Sequence, residues 1–192
     1  MKSYRNFSLS DGEGTNAGET LRVVLGGIMK ETDIQEIQLA CFRLGDANFA
    51  ADIMRIKEIL KPQRLTKLPR TPAFVEGVIN LRGAVIPVID LRKRFELPDR
   101  APLEESRLLV VAVARQLVGL VVDDVTEVIT VQAQDIKPPP HVAEGINTEY
   151  LIGVCLVRDS LVMLLNLDTI LSSVETSVLA GLSRAAGTAP PR

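Results

Sequence analysis

Gly77-Val78-Ile79-Asn80-Leu81-Arg82-Gly83-Ala84-Val85-Ile86-Pro87-Val88-Ile89-Asp90-Leu91 is the stretch whose reading decides the fold. Two apolar runs, Gly77 to Leu81 and Ala84 to Leu91, flank Arg82-Gly83, where a glycine can take the backbone conformation of a tight turn. Val and Ile dominate both runs, and branched side chains suit a pleated, half-buried surface. The stretch reads as a β-hairpin with Arg82 at its rim. Pro87 offers no N–H to a ladder, so its strand is expected to lie at an edge or to carry a bulge.

The same texture extends in both directions. Ile37 to Leu44, the loop Gly45-Asp46-Ala47-Asn48, and Phe49 to Asp52 read as another hairpin. Leu108 to Ala114 and Leu117 to Val122 pair around Arg115-Gln116, and Val125 to Val131 follows. Leu151 to Val157 and Leu161 to Leu167 pair around Arg158-Asp159-Ser160. Runs such as Leu108-Leu109-Val110-Val111 are apolar on both faces, which suits a sheet closed on itself and packed against a second sheet. Helical signals are few. Ile53 to Leu60 is expected as a short helix capped by Asp52. Leu167, Ile170, Leu171, Val174, Val178 and Leu182 form one helical stripe, with Asp168 near its start.

Strand-rich blocks thus lie on either side of a polar joint, Pro98 to Ser106, and βαβ alternation is missing. The expected division is a flexible N-terminal extension over 1–35, a first subdomain over about 36–98 and a second over about 107–167. A C-terminal helix from about 168 and a disordered tail over 185–192 complete it. In the extension, Ser8 to Thr20 is too polar to order itself. Leu21, Val24, Leu25 and Ile28 recur at helical spacing, interrupted by Gly26-Gly27.

Composition narrows the function. Hydrophobic residues make up 46% of the 192, aromatics only 4%, and Trp is absent, so aliphatic side chains must fill the core. Residues 53–100 hold eleven Lys/Arg against five Asp/Glu, a balance of +6 that leaves −8 elsewhere. That block could meet an acidic partner or form a solvated face. Phosphate contact through Arg55, Lys57, Lys61, Arg64, Lys67 and Arg70 lacks the interleaved aromatics that base stacking needs, since Phe49 and Phe74 sit in apolar contexts. Cys41 and Cys155 lie in apolar runs without CxxC spacing and read as buried free thiols. The polar N-terminus has no signal-peptide core, and no stretch is long and apolar enough to span a bilayer.

Catalytic motifs are wanting. His141, the one histidine, follows Pro138-Pro139-Pro140 and reads as a loop residue; Asp123-Asp124 reads as a turn between apolar runs. There is no GxSxG elbow, Walker A loop or GxGxxG after a strand. No cofactor or metal is implied. An interaction protein remains. Arg82, with five donors in a fixed fork, and Glu58 offer opposite charges beside aliphatic residues, enough to set register in a binding groove or to form an ordinary surface.

The segment Thr71-Pro72-Ala73-Phe74-Val75-Glu76-Gly77 running on through Asn80-Leu81-Arg82-Gly83 to Asp90-Leu91-Arg92 resembles the signature of the CheW family. Gly119-Leu120-Val121-Val122-Asp123 with Val125, and Thr148-Glu149-Tyr150-Leu151-Ile152-Gly153, resemble two further family segments in the expected order. The resemblance covers roughly Glu36 to Ser173. It implies a mainly β fold of two SH3-like five-stranded barrels with a few short helices. It also implies a non-catalytic cytoplasmic adaptor that couples the cytoplasmic tip of methyl-accepting chemotaxis receptors to the histidine kinase CheA, in arrays at the inner membrane. An adaptor of a related chemosensory system, such as pilus-based motility, stays open. Carried over by position, Ile56, Glu58 and Arg82 line the receptor groove from one barrel, and Val125, Val128 and Gly153 from the other. Gly77 matches one kinase contact; Lys137, His141 and Val142 match another, which closes adaptor–kinase rings. There the family commonly has an acidic–aromatic pair, and this chain has His141-Val142.

Overall fold

The computed structural model describes residues 36–69, 71–98, 106–113, 116–139, 147–172, 175–177, 179 and 181. The N-terminal extension, the C-terminal tail, most of the Pro98–Ser106 joint, and His141 and Val142 lie outside the described residues. Ten strands follow in order: β1 (Glu36–Leu44), β2 (Ala47–Asp52), β3 (Ile56–Leu60), β4 (Val75–Leu81), β5 (Ala84–Asp90), β6 (Arg107–Val113), β7 (Gln116–Val122), β8 (Asp124–Gln132), β9 (Leu151–Val157) and β10 (Ser160–Leu165).

They form two five-stranded sheets, ordered β8-β1-β2-β10-β9 and β3-β6-β7-β5-β4. Each closes through the chain that follows its edge strand. Thr66, beyond β3, exchanges two 2.9 Å backbone hydrogen bonds with Val78 of β4. Lys137, beyond β8, exchanges two of 2.8 Å with Val154 of β9. Closure leaves no free edge along that seam. We call the two units the β1–β2 barrel and the β6–β7 barrel after their hairpins.

The barrels do not follow the chain's halves. Residues 36–98 and 107–167 each supply a hairpin and three further strands, β1–β5 and β6–β10. The hairpin β1–β2 takes β8, β9 and β10 as partners, and β6–β7 takes β3, β4 and β5. The expected sequential subdomains are therefore two repeats that exchange strands. The exchange satisfies both open edges of each hairpin with strands from the opposite repeat.

Alternation along the strands explains the runs that are apolar on both faces. In β6, Leu108 and Val110 fill the β6–β7 barrel with Ile79, Ile86, Val88 and Val121. Leu109, Val111 and Val113 face the other way, into a core that both barrels share with Phe42, Phe49 and Leu165. The interior of the β1–β2 barrel takes Ile37, Leu39, Cys41, Cys155, Val162 and Leu164. A register shift between Cys41 and Phe42 lets β1 serve its own barrel and then the shared core.

Several local expectations change. Ile53–Leu60 is not one helix: Asp52 caps only a 3₁₀ turn, Ile53–Arg55, and the β-branched Ile56 and Ile59 continue as strand β3. β5 is interior, between β4 and β7. Pro87 is tolerated because pairing with β7 begins at Val88, after the proline, and the bulge lies on β4 between Val75 and Gly77. The first hairpin loop is the two residues Gly45-Asp46. Residues 167–171 turn, and helical residues begin at 175 among those described. The start signal is Ser172, whose hydroxyl accepts from Glu175 N (3.2 Å) while the Glu175 carboxylate accepts from Ser172 N (2.7 Å), a capping box.

The basic block finds its acidic partners largely inside the molecule. Arg55 pairs with Asp168 at 2.6 Å, Arg92 with Asp123 at 2.9 Å and Arg94 with Glu175 at 3.1 Å, each acid coming from the other half of the chain. Lys57, Lys61, Arg64 and Lys67 stay exposed. Three of the block's eleven basic residues thus pair with acids from the other half of the chain.

Candidate protein-interaction site

The rim that carries Arg82 is fixed from beneath. The Asp52 carboxylate accepts from Met54 N at 2.9 Å, starting the 3₁₀ turn. Arg55 then donates to the Ala112 carbonyl of β6 from Nε (3.0 Å) and Nη2 (2.8 Å). These contacts aim β3. Along it Ile56 and Glu58 are half-buried while Lys57 and Ile59 are exposed. Ile56 packs against the shared core, as does Val125 of β8.

At the β4–β5 tip, Arg82 has φ 52° and Gly83 φ 88°, the left-handed pair of a type I′ hairpin turn. Gly83 N donates to Asn80 Oδ1 at 2.9 Å, holding the turn. Arg82 Nη2 donates to Glu58 Oε1 at 3.0 Å, joining the hairpin tip to β3. The structure thus brings Ile56, Glu58 and Arg82 to one rim. Stability does not explain the arginine. Its side chain is 79% exposed, where an ion pair contributes about 0–1 kcal/mol. A non-glycine residue in left-handed backbone costs about 1–2 kcal/mol. The turn thus presents an exposed cation on strained backbone at the rim.

Gly77 and Gly153 belong elsewhere. Both are buried and both lie on closure seams. A Cβ on Gly77 would collide with the Thr66 carbonyl oxygen, and one on Gly153 would sit 2.6 Å from the Lys137 carbonyl oxygen. Gly77 also has φ 144°. Neither offers a surface to a partner; each lets the returning chain approach its barrel. Lys137 serves its seam through its backbone, while its exposed Nζ donates to the Gln134 carbonyl at 2.9 Å. Val128 is 54% exposed on β8.

Sequence reasoning missed two features. One is Arg158, on a turn whose two central residues are also left-handed (φ 47° and 65°), paired with Glu127 at 3.2 Å. The signal was present, since Arg158 follows Gly153 by the same five positions that separate Arg82 from Gly77. The other is the buried Arg92–Asp123 pair, in which Asp123 Oδ2 also accepts from Gly45 N at 2.7 Å. Asp123, read as a turn residue, sits where the chain crosses from one barrel to the other.

The two cysteines lie inside the β1–β2 barrel. Burial pushes the Cys41 thiol up to about 11, and burial likewise raises Cys155, so neither is poised as a nucleophile. Among the described residues, no three metal-ligating side chains gather, and no helix is long and apolar enough to cross a membrane.

Known proteins share this architecture. A family model described as a CheW-like domain matches residues 38–175. The chain is 37% identical to the chemotaxis protein CheW of Treponema pallidum, over 77% of this chain and 89% of that one. It is 31% identical to the protein FrzA of Myxococcus xanthus, over 76% and 91% respectively. The crystal structure of the scaffolding protein TtCheW from Thermoanaerobacter tengcongensis superimposes with a TM-score of 0.68 at 35% identity, covering 77% of this chain and 94% of that one. The match spans both repeats and both interlocked SH3-like barrels, and the chain belongs to the CheW-like domain family.

Proposed function

We propose that this chain is a non-catalytic adaptor of chemotaxis signalling that joins the cytoplasmic tip of a methyl-accepting receptor to the histidine kinase CheA. The observation that carries this reading is the Arg82 rim: a solvent-exposed guanidinium on a rigid, left-handed turn, tied to Glu58 beside Ile56 and Ile59. Such a rim supplies apolar contact for affinity and opposite charges for register. Family membership supports the choice of partners. Ile56, Glu58 and Arg82 are the direct receptor contacts, with Val125 and Val128 from the other barrel. Gly77 and Gly153 act as positioning residues that keep the seams closed. Lys137, with His141 and Val142, is assigned to kinase contact and ring closure. The adaptor works in the cytoplasm at receptor arrays, holding receptor and kinase in one geometry so that a receptor shift biases the kinase between states.

Pull-down of the full chain with a receptor cytoplasmic fragment and with CheA tests this. Arg82→Glu is expected to lose the receptor fragment and keep CheA. Retention of receptor binding by that variant would overturn the assignment of the rim.

A further inference from the structure

The ladder that carries Arg82 recurs, position for position, in the other barrel. In the β6–β7 barrel the cross-strand row runs Glu58, Val110, Gly119, Val88, Gly77. In the β1–β2 barrel it runs Glu127, Cys41, Ala50, Leu164, Gly153. Each row starts on a glutamate and ends on a seam glycine, and five residues beyond that glycine stands an arginine on a left-handed turn. Arg158 Nη2 lies 3.2 Å from Glu127 Oε2, as Arg82 Nη2 lies 3.0 Å from Glu58 Oε1. An exposed aliphatic residue follows each glutamate, Ile59 in one barrel and Val128 in the other.

The two rims differ on the outer hairpin face. Asn80 stands opposite Val85 on β4–β5, whereas Leu156 stands opposite Leu161 on β9–β10, and both leucines are exposed. A lone surface leucine needs no explanation. Two that face each other across a hairpin, beside a fixed guanidinium, make a contiguous apolar surface with a charge at its margin. The charge selects the occupant. Arg158 is 80% exposed and Glu127 38%, so the guanidinium is the more accessible member of the pair to an incoming segment.

We propose that Arg158, Glu127, Leu156 and Leu161 form a second docking rim for a segment of the receptor cytoplasmic tip that presents apolar side chains beside a carboxylate. This rests on the reading of Arg82 as a partner-reading cation, and it gives the adaptor a contact of the same kind on its other barrel. The carboxylate meets the exposed Arg158 guanidinium, and the apolar side chains cover the leucine pair.

Calorimetric titration of the full chain with a receptor cytoplasmic fragment tests the proposal, using Arg158→Glu, Leu156→Lys and Arg82→Glu. Leu156 is exposed, so its replacement leaves the fold intact, and thermal unfolding checks each variant. Arg158→Glu, a charge reversal at the docking surface, and Leu156→Lys, which sets a hydrated ammonium where apolar side chains must pack, are each expected to weaken binding about tenfold or more. Unchanged affinity in both, with Arg82→Glu weakened, sinks the second rim and leaves the first standing. Weakening by Arg158→Glu with Arg82→Glu unaffected supports the second rim and removes the role of Arg82. No change in any variant overturns both.

Discussion

The two barrels of this protein solve one closure problem with different residues. In the β6–β7 barrel the returning chain passes over Gly77, which needs both the missing side chain and a left-handed φ of 144°. In the β1–β2 barrel it passes over Gly153, which needs the space alone: its Cβ would meet the Lys137 carbonyl oxygen at 2.6 Å, but its φ is not left-handed. The rims above diverge as well, one polar at Asn80 and one apolar at Leu156 and Leu161. What is held in common is backbone architecture, and what differs is surface chemistry. The exposed charged groups thus sit on the hairpin tips, while the seam glycines act through the scaffold.

The sharpest disruption should ignore the difference and strike both barrels. Arg92→Met removes the cation that faces Asp123 at the crossover, where both side chains are nearly excluded from solvent. Breaking a buried pair costs about 3–5 kcal/mol. Thermal unfolding should stay a single transition at a lower Tm, because the shared core and exchanged strands couple the barrels. Two separated transitions would show that the barrels unfold independently.

Next in size are the seams. Gly77→Ala should destabilise by about 2–4 kcal/mol and Gly153→Ala by about 1–3 kcal/mol, since overpacking against backbone forces a shift and left-handed strain adds to the first. Cys41 and Cys155 lie inside the β1–β2 barrel only. Their labelling by a thiol reagent should therefore quicken more with Gly153→Ala than with Gly77→Ala, measured at matched stability. Equal acceleration would mean that the seams do not open separately.

The smallest effect concerns the C-terminal helical turn. Burial pushes the Glu175 carboxyl up, but hydrogen bonds from Ser172 and the Arg94 guanidinium outweigh it and hold the group below its ordinary range. A lowered folded pKa contributes stability that is present above the unfolded value, about 4.3 for glutamate, and is lost as pH falls through the folded value. Limited proteolysis on acidification should release residues after Ser172 before either barrel opens, and Glu175→Gln should flatten that dependence. Unaltered pH dependence in the variant would assign the release to another group.

Much of the fold was legible locally. The hairpins at Arg82-Gly83 and Arg158-Asp159 could be read because alternation and turn residues are short-range signals. Leu108-Leu109-Val110-Val111 announced burial on both faces. The helix assigned to Ile53–Leu60 failed because a three-residue turn capped by Asp52 and a β-branched strand produce a similar apolar spacing over eight residues. Pro87 misled because its compatibility with an interior strand depends on where pairing with β7 begins. Of the candidate site, the Ile56–Glu58–Arg82 rim was legible through family resemblance. The seam role of Gly77 and Gly153 was not, since it depends on a carbonyl many residues away.

The sequence by itself determined two strand-rich blocks, aliphatic cores, an adaptor family and an arginine on a glycine turn. Periodicity, turn chemistry and a long motif are properties of neighbouring residues, so they survive without coordinates. Only the tertiary structure decided that the repeats exchange three strands each, because strand pairing joins residues far apart in the chain and any free edge must find a partner. That exchange turned the basic block into internal clamps at Arg55, Arg92 and Arg94. It also set Arg158 beside Glu127 at the position that matches Arg82 beside Glu58.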